Sequence, residues 1–250
     1  MALSEPAFAD PGELRARVLH QDEDVIVIDK PAGLAVHQAG RITDHLDLYL
    51  PWLAAEGERA PGLAHRLDRD TAGCLLLGRN DWALKRLGQL FVGGWVEKTY
   101  WAATEGGPPG PEGEIDLPLL KIRKPGGFAI VVDPAGKPAR SRYRVLGSGG
   151  GLSWLELTPL TGRTHQLRVH CAALGCPLAG EPFYGPVKSE SGKGELHLLA
   201  RRVGFRLRKE QEMTVVTAPV PPHMRAALRL CGWNDADPPP PNGPATPRRR

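Results

Sequence analysis

Glycine and proline interrupt this chain too often for long helices. Pro31-Ala32-Gly33, Pro61-Gly62, Gly93-Gly94, the Gly/Pro-rich segment 106–113, Gly147 to Gly151, and Gly175 with Pro177 each stop regular structure. Glycine frees the backbone, and proline lacks the N–H a helix or ladder needs. With 30 Gly and 25 Pro in 250 residues, the chain must build from short elements and many turns. Between the stops, β-formers dominate at 25–28, 34–37, 74–78, 96–104, 127–133, 139–147, 152–160, 196–200, 203–208 and 212–218. Helical signals are fewer. Asn80 or Asp81 caps a segment running to about Phe91, with Leu84, Leu87 and Leu90 on one face. Residues 164–174 form a second helix and 221–231 a third, while 42–55 have mixed helical spacing. Short connections between strands favour antiparallel neighbours. The expected class is α+β: a mixed, mainly antiparallel sheet with flanking helices and loops, not a doubly wound sheet.

The hydrophobic fraction, 41%, suffices for a core. The expected organisation is an N-terminal leader or arm over 1–20, one domain over 21–232, and a disordered Pro-rich basic tail over 233–250. The net charge of +4 is uneven: residues 1–24 hold six acids and two arginines, whereas 121–145 hold seven Lys/Arg and one acid, Asp133. Such a basic stretch suits a polyanionic partner, although a solvated loop accounts for it as well. The four cysteines form no CxxC pair, and no apolar signal segment opens the chain. Reduced thiols and a cytoplasmic location are the expectation. No run of about 18 apolar residues predicts a membrane span. His165, His170, Cys171 and Cys176 lie close together, but their spacing fits no common structural zinc pattern. GxSxG, HExxH and GxGxxG are absent, and Gly147 to Gly151 reads as a flexible hairpin tip, because no lysine and helix start follow it in Walker spacing.

Three constellations remain. HRLDRDTAG (65–73) puts four charges and a histidine directly before an apolar run, and charge near a core is costly unless paired or used. Lys98-Thr99-Tyr100-Trp101-Ala102 lies on a strand, and Thr161 to His170 spans a strand-to-helix turn. Singly, each has a structural reading: a surface ion pair at Asp68, a core aromatic at Tyr100, a carbonyl contact at Arg163. Together with DKPAGLAVH (29–37) and GEPFYG (180–185), they resemble the ordered motif set of the RluA-type pseudouridine synthases, over about residues 22–218. Ala72 stands where serine is common in that family, and Glu181 where aspartate is common.

The resemblance implies an isomerase that breaks the bond from ribose to uracil nitrogen, turns the base and rejoins it through carbon 5. The base must first leave its stack. Asp68 is implied as nucleophile or base, and Arg163 as the cation that keeps it ionised. Tyr100 is implied as the residue packing on the uracil, with handling of the proton at carbon 5 as a further role. Arg66 would fill the gap in the RNA, and if the HRLD segment is extended, alternation puts it on the same side as Asp68. Lys98 and Arg168 are candidates for phosphate or Asp contacts. Lys121, Arg123, Lys124, Lys137, Arg140, Arg142 and Arg144 form the expected RNA-docking patch, with Arg140 and Arg142 foremost. His65, His165 and His170 are read either as phosphate contacts or as structural histidines, and Arg69 and Asp70 as an ion pair. The expected partner is structured RNA, ribosomal or transfer, met by a monomer without metal or cofactor. A non-catalytic RNA-binding module on the same fold, and a base-excising hydrolase, are the alternatives.

Overall fold

The computed structural model describes residues 6–38, 40, 42–125, 127–185 and 195–234. The elements are α1 (Pro11–Arg15), β1 (Val18–Gln21), β2 (Val25–Lys30), β3 (Gly62–Leu63), β4 (Ala72–Gly78), α2 (Asp81–Gly93), β5 (Glu97–Glu105), β6 (Glu112–Asp116), β7 (Leu119–Lys124), β8 (Gly127–Val132), β9 (Arg140–Gly149), β10 (Leu152–Pro159), α3 (Gln166–Ala173), β11 (Leu198–Phe205), β12 (Thr214–Thr217) and α4 (Pro222–Leu230). One sheet runs β1-β2-β4-β11-β5-β10-β9-β6, with β12 added to β11 and β3 to β4. Its strand pairings are antiparallel, apart from β4 with β11. β7 and β8 form a separate two-stranded ribbon. The α+β expectation holds.

The apolar run before Gly78 explains the centre of this sheet. All seven residues of β4 are buried, as a strand covered on both faces must be. Alternation sends Val25, Val27, Cys74 and Leu76 to one face, where they meet Leu87 and Leu90 of α2 and Met224 and Leu228 of α4. Ile26, Ile28, Leu75 and Leu77 point to the other face, against Phe8, Leu14 and Leu46, Leu50 and Leu53. Further along that second face, α3 supplies Leu167 and Cys171 to a cluster with Ala102, Leu155 and Leu157. Tyr100 packs against both second-face clusters, so it stands at their seam. The α2 signals are realised: Asn80 Oδ1 accepts from the Ala83 N–H at 2.8 Å, and Gly94 closes the helix at φ +67°.

Several local expectations differ from what is observed. The arm expected over 1–20 belongs to the fold from Ala7 onward. The Ala7 N–H donates to Asp44 at 2.9 Å, Phe8 packs edge-on to Tyr49, and β1 extends the sheet. Residues 34–37 make only one bridge, Ala35 with His45, and 42–55 form two 3-10 turns, Leu46–Leu48 and Leu50–Leu53. The two strands expected at 196–200 and 203–208 are one, β11. Its register against β5 shifts between Leu199 and Arg202, which sets Ala200 and Arg201 opposite the single residue Tyr100, a bulge beside the seam. Gly147 and Gly149 are strand residues, not a hairpin tip. A Cβ on either would lie 1.9 or 2.0 Å from a carbonyl oxygen of Cys231 or Leu230, so their bareness lets the end of α4 dock on β9. Of the tail expected over 233–250, residues from 235 onward lie outside the described residues.

Candidate active site

HRLDRDTAG occupies the irregular connection from β3 to β4. Leu67 is its anchor, buried in the second-face core. Arg66 and Asp68, on either side of it, are exposed and half-buried respectively, as alternation about a buried residue requires. The Thr71 N–H donates to the Asp68 carbonyl at 3.1 Å and closes a turn. Gly73 pins the end of the stretch. At φ +105° it lies so close to β11 that a Cβ would sit 2.4 Å from the Ala200 oxygen, so only glycine serves there.

Below this turn lies a residue to which the sequence reading gave no role. Lys30, at the end of β2, is fully buried. Its ammonium donates to the carbonyls of Pro31 at 2.6 Å, Leu34 at 2.8 Å and Arg69 at 3.0 Å. It thereby ties the DKPAG turn to the Asp68 turn. Burial pushes its pKa down to about 7, against the pull of Asp70 and Asp68. Arg69 donates to the Gly33 carbonyl at 3.0 Å and pairs with Asp70 at 3.7 Å, the structural role expected of both.

Tyr100 and Asp68 come together. Burial raises the Tyr100 phenol well above its ordinary range, and the Asp68 carboxylate raises it further. The phenol stays neutral across the physiological range. Asp68 also acts on Lys30, His165, Arg168 and Tyr184. The charge of Asp68 thus reaches two phenols, a histidine, a lysine and an arginine.

The turn carrying Arg163 is built by Gln166, whose amide is saturated. Its Oε1 accepts from the Thr161 hydroxyl at 2.7 Å and the Arg163 N–H at 3.0 Å. Its Nε2 donates to the Arg140 carbonyl at 2.8 Å and Ser141 Oγ at 2.9 Å. The Arg163 side chain does not make the expected ion pair with Asp68. It is exposed and donates from Nε to the Pro138 carbonyl at 3.0 Å.

Three expected RNA contacts are placed otherwise. Arg168 is buried, forking onto Glu181 at 2.7 and 2.6 Å, with both side chains 2% exposed. No phosphate reaches it, and Glu181, the departure from the family pattern, is its counter-ion. Arg140 and Arg142 lie on β9 and not on a loop. Both pair with Glu114 of β6, Arg140 at 2.8 Å from its Nε and Arg142 at 3.1 Å, and Arg144 pairs with Glu156 at 2.8 Å. Lys121, Arg123 and Lys124, on the β7–β8 ribbon, are exposed and form no ion pair among the described residues. The Lys121 ammonium lies 3.9 Å over the ring of Phe128. Lys98 is half-buried on β5, and its charge acts on His65.

The histidines separate cleanly. His65 Nε2 accepts from the Leu76 N–H at 3.0 Å and its ring stacks on Phe91 at 4.3 Å. Burial pushes it down to about 3, so it is neutral and structural. His170 has both nitrogens engaged, with Ser141 Oγ at 3.0 Å and the Leu117 carbonyl at 3.1 Å. His165 has one engaged, Nδ1 with the Tyr184 hydroxyl at 2.6 Å.

Comparison with known proteins places the chain in a family. The model of a family described as RNA pseudouridylate synthase matches residues 24–173, which include Asp68, Tyr100 and Arg163. An uncharacterized RNA pseudouridine synthase of Zymomonas mobilis is 45% identical, covering 83% of this chain and 95% of that protein. Ribosomal large subunit pseudouridine synthase D of the same organism is 34% identical, covering 74% and 61%. Among solved structures, human RNA pseudouridylate synthase domain containing 4 is similar at 29% identity with a TM-score of 0.72, covering 88% of this chain and 95% of that one. The chain belongs to the RNA pseudouridylate synthase family, of the RluA type, and is an enzyme of RNA modification.

Proposed function

We propose that this enzyme isomerises specific uridines of ribosomal RNA, with transfer RNA as the alternative substrate, and that Asp68 carries the chemistry. The supporting observation is that the Asp68 carboxylate acts on the phenol of Tyr100, which stands at the seam of the two second-face clusters, while Leu67 beside Asp68 is anchored in one of them. The target base leaves its stack and lies against the Tyr100 ring, whose phenol stays protonated. Ionised Asp68 then breaks the bond between ribose C1′ and uracil N1, either by attacking C1′ or by removing a ribose proton. The base turns and C1′ joins C5. The C5 hydrogen leaves to solvent and N1 ends with a proton, so the reaction is balanced without any co-reactant. Arg163, bound by a single side-chain hydrogen bond to Pro138, swings to Asp68 when RNA fills the site. Arg66, exposed and without an ion pair among the described residues, occupies the gap left by the base. The unpaired Lys121, Arg123 and Lys124 hold phosphate. Ribosomal RNA is preferred because relatives named as large-subunit synthases C and D match most of this chain, 86% and 74%.

Release of tritium from RNA labelled at uracil C5 tests the reading. The wild type releases label and forms pseudouridine, and Asp68→Asn loses at least about a thousandfold in rate. Full activity in that variant removes Asp68 from the mechanism. Free uracil and an abasic site would identify a hydrolase. RNA binding without turnover of any uridine would identify a non-catalytic module. Mapping pseudouridines in cells with and without the protein distinguishes ribosomal from transfer RNA.

A further inference from the structure

The geometry points to His165 as a substrate-contacting residue: its Nε2–H donates to the O4 carbonyl oxygen of the flipped pyrimidine and so selects for uracil. This rests on the isomerase reading above and adds a specificity contact to it.

His65 and His170 spend their nitrogens on the protein. His165 spends one, and the other has no partner among the described residues. The proton on that free nitrogen follows from its neighbours. The Tyr184 oxygen accepts from the Ile130 N–H at 3.4 Å. Its own hydrogen goes to His165 Nδ1 at 2.6 Å, the arrangement in which both groups are satisfied. Nδ1 is then the acceptor, and Nε2 carries the hydrogen. The ring cannot turn away, because Phe128 lies at 5.7 Å on one side and Tyr184 edge-on at 5.5 Å on another.

The backbone supplies an independent sign. His165 is the one non-glycine with positive φ among the described residues, at +52°. It sits at the N-cap of α3 without a side-chain cap bond, so capping does not account for it. Side chains held in this region cluster at functional sites.

Charge decides the ligand. Asp68 acts on the His165 ring, while burial lowers its pKa and so favours the neutral form. A phosphate sharing that space would be repelled by the carboxylate. An uncharged carbonyl would not, and a neutral N–H donor suits it. Uracil offers acceptors at O2 and O4. Cytosine puts an amino donor at position 4, and a buried donor facing a donor is rejected strongly.

The experiment uses the full chain and stem-loop RNA carrying the mapped uridine, the same RNA with 2-thiouridine, and the same RNA with 4-thiouridine. Sulfur is the poorer acceptor, so it marks the contacted position. Wild type should lose about tenfold or more in kcat/KM with 4-thiouridine and not with 2-thiouridine, and a loss confined to 2-thiouridine overturns the selection of uracil. His165→Gly, which relaxes the backbone, should keep its melting temperature and fall about ten- to a hundredfold on uridine. It should also lose the discrimination between uridine and 4-thiouridine. Should glycine abolish turnover, Tyr184→Phe makes the same comparison, because it keeps the ring and removes the hydroxyl that sets the tautomer. Wild-type rates on uridine RNA in His165→Gly, or an equal fall on all three RNAs, overturn the inference and leave the isomerase reading intact. Failure of the wild type to turn over the unmodified RNA sinks both.

Discussion

β9 and the β7–β8 ribbon are adjacent in sequence and carry similar positive charge, yet the fold uses them in opposite ways. On β9, Arg140 and Arg142 share Glu114, and Arg144 has Glu156. On the ribbon, Lys121, Arg123 and Lys124 have no ion pair among the described residues. The difference comes from β6, whose Glu114 register lies opposite Arg142. A basic run in a sequence therefore counts as partner-binding only after its acids are located in space. The same contrast between saturated and open groups recurs in Arg168, saturated by Glu181, and Arg163, held by one side-chain hydrogen bond, and in the histidines.

The saturated group with most to lose is Arg168. Arg168→Met leaves the Glu181 carboxylate buried and alone, which should cost about 3–5 kcal/mol of folding stability. Urea denaturation reads this directly. The double variant Arg168→Met, Glu181→Leu should recover most of it, because removing both charges removes the unpaired one. If the single and double variants prove equally unstable, the pair is not what holds this corner. The open groups should lose binding instead. Replacing Lys121, Arg123 and Lys124 together with alanine should lower the slope of log affinity against log salt by about 2, with no change in melting temperature. An unchanged slope would end the claim that the ribbon meets phosphate.

The contrast also sets what the sequence could disclose. Turns, the α2 cap and the buried strand β4 were legible because their signals are local: Asn80, Gly94 and an unbroken apolar run. β11 was split in two because Arg201 and Arg202 interrupt its apolar pattern. Only the folded chain sets Arg201 over the Trp101 ring at 4.3 Å and gives it the Ala218 carbonyl. β6 was missed because EGEID buries a single residue, Ile115, and pairs through non-local charge. Phe8 and Leu14 are too widely spaced to make a periodic pattern, so the leader concealed its anchors. At the candidate site, the order of motifs marked Asp68, Tyr100 and Arg163 as candidates. The buried ammonium of Lys30 was invisible because its partners are backbone carbonyls, which carry no residue identity, and the saturated amide of Gln166 because two of its partners, the Arg140 carbonyl and Ser141 Oγ, lie some 25 residues away in sequence.

His65 tests saturation through pH. Its pKa falls from 6.5 unfolded to about 3 folded, so between those values the unfolded chain binds the extra proton. Stability present above pH 6.5 is lost as pH falls toward 3, by up to about 1.4 kcal/mol per pH unit. His65→Gln keeps an acceptor for the Leu76 N–H and cannot titrate. Its stability difference from wild type, taken by urea unfolding at pH 7 and pH 5, should shrink in acid. A difference that stays constant would mean that His65 does not carry this dependence.

The smallest expected effect makes the sharpest distinction. Arg140→Ala with Arg142→Ala removes two cations, the same charge change as two of the three on the ribbon. Because Glu114 already answers them, and both arginines are about half exposed at 47% and 51%, solvent screens the pairs and they add little to stability. The salt dependence of RNA binding should stay within about 0.5 of the wild-type slope, against a fall of about 2 for the ribbon. Equal falls for the two sets would show that RNA displaces Glu114 from its arginines. Pairing in the free protein would then no longer predict which cations the nucleic acid meets.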